Sequence, residues 1–202
     1  MEIRPARTCF AVASFFLILG GSSCGSSNSN SSPPTVADAG PPTATELGNQ
    51  YKFSPTDLNG WQLDPNDPAN FQVLQEGTPT DLYSFMDGGS DLYTNNGCTI
   101  TIYESLIATY PKTATFYAMY FGTATNATTM FNDQKTTFAA SGSIPGFDAS
   151  VAIGYPGLAS ETVFAHFGAM YIELVVSGFG SDTASAYQTA AQILTVLKSK
   201  TH

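Results

Sequence analysis

The stretch SETVFAHF-GA-MYIELVV, residues 160–176, leaves little choice of local architecture. Two β-patterned runs flank Gly168-Ala169, and a two-residue connection joins antiparallel neighbours in a hairpin. In the second run Met170, Ile172, Leu174 and Val176 share one face, as the period of two requires. Upstream, CTITIYESLI (98–107) alternates in the same way. ATFYAMYF (114–121) is apolar on both faces, which suits a central strand. FQVLQ (71–75) and SVAIG (150–154) are shorter strand candidates. Sequential hairpins with intervening helices argue for an α+β fold: a mainly antiparallel sheet of five to six strands with about three helices packed on it. A doubly wound parallel sheet fits less well, because helices do not alternate regularly with strands.

Three segments read as helices. Thr78-Pro79-Thr80-Asp81 offers a cap, a first-position proline and an early acid, so a helix is predicted from there to the stop at Asn95-Asn96-Gly97. Asn126 is read as the cap of a second helix to about Ala140, with Ala127, Phe131 and Phe138 on one side. Ser181 or Asp182 opens a third to about Lys200, striped by Ala186, Ala190, Ile193, Leu194 and Leu197. Trp61 precedes a turn-rich segment, Asp64 to Pro68.

The first of these helices carries SFMDGGSDLY (84–93), with two glycines where each costs about 1 kcal/mol relative to alanine. At 100° per residue Leu82, Phe85, Met86, Gly89, Leu92 and Tyr93 share one face, read as buried, with Gly89 letting the helix approach the sheet. Gly88 falls opposite, with Ser84, Asp87 and Asp91. Asp87 and Asp91 form a like-charge i, i+4 pair, and Asp91 is placed near the helix C-terminus, where the macrodipole disfavours it. The face of Asp87, Gly88 and Asp91 is therefore a candidate surface for a ligand or partner. The plainer alternative is that the aspartates bond the protein's own loops or face water. Their spacing is not that of a calcium loop, and no metal site or cofactor is expected.

The segments LNGW, DLYSFMDGGSDLY, ITIYE, FYAMYFGTATNATTMF and FAHFGAMYIELVV, followed by a final helix, resemble in that order a bacterial domain-of-unknown-function family of exported proteins. Its signature helix reads Leu-Tyr-x-Tyr/Phe-Ile-Asn/Asp-Gly-Gly-Ala-Asp/Glu-Leu-Tyr. Leu82, Tyr83, Phe85, Asp87, Gly88, Gly89, Asp91, Leu92 and Tyr93 fall on that pattern, while Met86 and Ser90 depart from it. The resemblance covers most of residues 57–200. It implies a fold and an envelope location, and no activity.

The N-terminus speaks to location too. Arg4 and Arg7, an apolar run from Cys9 to Gly20 and a small-residue junction are the parts of an export signal over residues 1–23. The run is well short of the about 20 residues that span a bilayer. Cys24 follows Gly21-Ser22-Ser23 and precedes a polar tract, so the junction resembles a bacterial lipoprotein signal, although Gly21 stands where leucine is usual. Cys24 is then the lipid-attachment residue and the membrane a partner through that anchor. An ordinary signal releasing a soluble periplasmic protein is the alternative. Residues 24–45, rich in Ser, Asn and Pro, read as a disordered tether, and residues 46–202 as a single domain. Gly21-Ser22-Ser23-Cys24-Gly25 matches a hydrolase nucleophile elbow in letters alone, since no strand precedes it and no helix follows.

Loss of the signal removes one acid and two arginines, so the net charge of −9 becomes one unit more negative. With no basic run, nucleic acid is excluded as a partner on electrostatic grounds. Cys98 is left without a disulfide partner and reads as a buried inert thiol. His166, on a strand face with Thr162 and Phe164, reads as a hydrogen-bonded core or edge residue. Glu104 and Glu173 could serve as paired carboxylates if the fold brought them together. No zinc spacing, phosphate loop or serine triad is present. These observations favour a non-catalytic binding or accessory domain whose envelope partner or small ligand the residues do not name. The alternatives are an enzyme with its site near Asp87 and Asp91, and a surface adhesion protein.

Overall fold

The computed structural model describes residues 40–86, 89–138, 140, 143–147, 151–156 (backbone) and 160–201. The signal, most of the tether, Cys24, Asp87 and Gly88 lie outside the described residues. In chain order the elements are α1 (Ala44–Tyr51), β1 (Gln62–Leu63), β2 (Phe71–Gln75), α2 (Leu82–Met86), α3 (Asp91–Thr94), β3 (Ile100–Ile107) and β4 (Thr113–Tyr120). There follow α4 (Ala124–Thr137), β5 (Val151–Pro156), β6 (Ser160–Phe167), β7 (Met170–Ser177) and α5 (Thr183–Ser199).

The strands form one antiparallel sheet in the order β1-β3-β4-β7-β6-β5, with β2 beside β1 on the same edge of β3. The β6–β7 hairpin closes at Gly168, whose φ of +54° suits glycine. The fold is α+β, as expected. Both faces of the sheet are covered. On one, α1 and α5 pack Leu47, Tyr51, Ala190, Ile193 and Leu197 against Ile102, Phe116, Ile172 and Val163. On the other, α2, α3 and α4 pack Leu82, Tyr93, Ala127, Met130 and Phe131 against Leu74, Met119, Phe164 and Tyr171. A sheet buried on two sides needs apolar residues at both parities, which is why β4 shows no clean alternation.

Side-chain caps fix the helix starts, and two differ from expectation. Thr43 and Glu46 form a capping box at α1, with Thr43 N–H 2.7 Å from the Glu46 carboxylate and Glu46 N–H 3.2 Å from Thr43 Oγ1. This helix opens inside the stretch read as tether. Thr123, not Asn126, caps α4, accepting from Asn126 N–H at 3.2 Å. Asp81, not Thr78, begins α2, accepting from Ser84 N–H at 2.8 Å, because Thr78 instead turns back to the Gln75 carbonyl at 2.8 Å. Asp182 caps α5 through Ser185 N–H at 3.1 Å.

Gly89 overturns the single helix predicted from 78 to 95. Gly89 has φ +84°, a conformation no α-helix contains, and the chain is divided into α2 and α3 around it. A Cβ at Gly89 would meet nothing within 4 Å and the residue is exposed, so close packing on the sheet is not its role. The break also changes the buried face: Leu82 and Tyr93 are buried, whereas Leu92 is 46% exposed.

Candidate binding site

The chain leaving α1 makes a strap, Lys52 to Asp57, across one edge of the α1/α5 face. Its own bonds are a turn in which Ser54 N–H reaches Asp57 Oδ2 at 2.9 Å and Asp57 N–H reaches the Ser54 carbonyl at 3.0 Å. Two ionisable side chains from elsewhere pin it. Glu104, in the middle of β3 and wholly buried, accepts Phe53 N–H on both oxygens at 3.0 and 3.2 Å. Lys200, at the end of α5, donates to the Lys52 carbonyl at 2.8 Å and pairs with Asp57 Oδ2 at 2.9 Å. Lys200 also lies 5.4 Å from the centre of the Phe53 ring, which in turn packs on Phe116 at 5.5 Å.

Between this strap and β1 lies a cavity of about 330 Å³ walled by Phe53, Pro55, Trp61, Leu63 and Leu106, with Lys52 and polar atoms of Ser54 and Gln62 at its edge. Trp61 is set by a turn from Leu58, its N–H 3.1 Å from that carbonyl, and by the pairing of Leu63 with Leu106 in the sheet. It is the chain's one tryptophan. Burial raises the Glu104 carboxyl to about 8, partly offset by the Phe53 N–H and the charges of Lys200 and Lys52, while Asp57 pushes it further up. Glu104 stands behind Phe53 and does not line the cavity. The arrangement suits an apolar molecule and places no proton-transferring carboxylate against it.

The register separates the two carboxylates that the sequence left open. Glu104 faces Phe116 on β4, whereas Glu173 on β7 faces Tyr117. Adjacent residues of a strand point to opposite sides, so the two acids occupy opposite faces and cannot act as a pair. Glu173 instead accepts the Tyr93 hydroxyl at 3.0 Å, and burial raises its carboxyl while that bond lowers it. His166 Nδ1 lies 3.4 Å from Thr128 Oγ1, and its ring packs 4.8 Å from Phe131 beneath α4. Cys98 is buried, its sulfur 3.4 Å from Thr101 Oγ1, and burial pushes the thiol up to about 11, as suits an inert group.

Asp91 is exposed and lies in the first turn of α3, the end where the dipole favours a negative charge, so the strain attributed to it is absent. Its proposed companions Asp87 and Gly88 lie outside the described residues. Among the described residues no group of three or more His, Cys, Asp or Glu side chains is placed to hold a metal ion, and no helix is long and apolar enough to cross a membrane. Sequence reasoning passed over Trp61 and the strap. The available signal was a lone tryptophan beside a turn-rich segment, together with a glutamate amid the apolar positions of a strand.

No family model and no curated protein matches the chain. Among solved structures, the extracellular domain of PknH from Mycobacterium tuberculosis is similar at a TM-score of 0.49 and 13% identity, over 78% of this chain and 98% of that one.

Proposed function

We propose that this is a non-catalytic binding domain of the bacterial cell envelope that takes a small apolar molecule bearing an acidic group. The observation that carries the reading is the Trp61 cavity, walled on one side by a strap that Glu104 and Lys200 hold in place through the protein's own hydrogen bonds. A preformed apolar cavity avoids the ordering cost that weakens binding to a loose loop. Lys52 borders the cavity, and its ammonium, 4.6 Å from the centre of the Phe71 ring, would turn from that ring to meet the acidic end. The N-terminal pattern supports tethering through Cys24, with residues 25–42 as spacer.

Because Trp61 is unique, its fluorescence reports on the cavity directly. Titration with decanoate is expected to give a saturable change in Trp61 emission, weaker with decanol and lost in Leu63→Arg. An unsaturable or absent response to both would refute the reading. The anchor is tested separately. Metabolic labelling with palmitate is expected to mark the wild-type chain and not Cys24→Ala; an unlabelled wild type would leave a soluble exported protein.

A further inference from the structure

On the opposite face of the sheet, Glu173 borders a second cavity of about 310 Å³ together with Phe138, Thr162 and Phe164. The register explains its walls. Tyr117 on β4 and Phe164 on β6 are the direct cross-strand partners of Glu173, which puts an aromatic ring on each side of the carboxylate. Phe138, at the C-terminal end of α4, packs at a tilt of 43° against Phe164 with ring centres 5.5 Å apart and stands 47% exposed at the rim. Tyr93 from α3 donates its hydroxyl to one carboxylate oxygen. Tyr171, two residues along β7 on the same face, is fully buried, and its hydroxyl has no hydrogen-bond partner among the described residues.

Among the described residues no lysine forms an ion pair with Glu173, and Lys200 is paired with Asp57. The domain's lysines are placed elsewhere, each over a ring: Lys52 over Phe71, Lys112 over Phe179, Lys135 over Phe131, Lys198 over Phe147 and Phe167, and Lys200 over Phe53, at 4.6 to 6.0 Å. A half-buried carboxylate without a cation is costly, and burial accordingly raises its carboxyl above the ordinary value. A bound cation would reverse that cost.

We propose that the Glu173 cavity is a binding site for a small organic cation of the alkylammonium class. The carboxylate supplies the charge, and the rings of Phe164 and Phe138 supply the cation–π surface that a methylated or alkylated ammonium prefers to water. A metal ion fits poorly, because calcium and magnesium need six or more oxygen ligands and, among the described residues, the lining offers one carboxylate beside aromatic rings. An overall charge of −9 favours approach of a cation to any such site. The site is independent of the Trp61 cavity, since the two lie on opposite sides of the sheet.

The test is calorimetric titration of the full chain with choline, alongside its neutral isostere 3,3-dimethylbutan-1-ol. Choline is expected to bind saturably, and the isostere to bind at least about tenfold more weakly, as loss of the charge term requires. Glu173→Gln should weaken choline by a similar factor while leaving decanoate titration of Trp61 unchanged. Phe138→Ala, at a rim position that is 47% exposed, should weaken choline several-fold. Equal binding of choline and its isostere, undiminished binding by either variant, or displacement of choline by equimolar calcium would each overturn the proposal, as would the absence of binding to wild type.

Discussion

Glu104→Gln is expected to flatten the dependence of stability on pH. The carboxyl has an ordinary value of 4.5 and about 8 in the folded protein, with burial as the chief cause. Across that interval the folded state holds a proton that the unfolded chain has lost. Stability conferred by the protonated group is therefore complete below about pH 4.5 and declines as pH rises, at no more than about 1.4 kcal/mol per unit, until it is gone above about pH 8. Glutamine stays neutral and keeps an oxygen for Phe53 N–H, so the fall in unfolding free energy between pH 5 and pH 8.5, measured with urea, should be smaller in the variant than in the wild type; the raised carboxyl of Glu173 contributes the slope that stays. An unchanged slope in Glu104→Gln would assign the titration to another group. Glu104→Ala removes the acceptor altogether. The unpartnered Phe53 N–H and the space left between Phe71 and Phe116 should together cost about 3 kcal/mol, and the strap should loosen with it.

Gly178→Ala should be as damaging for a different reason. Gly178 follows β7 with φ +84°, and a Cβ there would stand 2.2 Å from the Pro111 carbonyl oxygen, 2.5 Å from its carbon and 2.9 Å from Lys112 N. All three obstacles are backbone, so no side chain can swing away. Conformational strain and the clash together are expected to cost roughly 3 kcal/mol or more, a fall of about 10 °C in melting temperature for a domain of this size. Gly180 is the control. It too has positive φ, +58°, but nothing lies within 4 Å of its would-be Cβ, so Gly180→Ala should cost only about 1 kcal/mol. Similar melting temperatures for the two variants would refute the role given to the Pro111 contact.

Both effects belong to places where distant segments meet, and that marks the limit of what the residues alone disclose. The strands were legible because alternation is a local property: β3, β6 and β7 begin and end within two residues of their apolar patterns. The stripe of α5 was legible for the same reason, and Ala186, Ala190, Ile193, Leu194 and Leu197 are all buried. The signature helix was misread because a helical wheel assumes one helix. Gly89 has space for a side chain and needs the left-handed conformation instead, a distinction that periodicity does not contain.

The amino-acid sequence by itself determined the α+β class, the runs of β3, β4, β6 and β7 and the buried stripe of α5, since these follow from patterns a few residues long. Tertiary structure alone decided that Glu104 and Glu173 face opposite ways, that Lys200 reaches back to Asp57, and that Trp61 closes a cavity with Phe53. A slip of one residue in the β3–β4 register would turn every β3 side chain to the other face. Which carboxylate meets the strap and which meets the aromatic rings is thus set by pairing between strands, where the pattern within a single strand is silent.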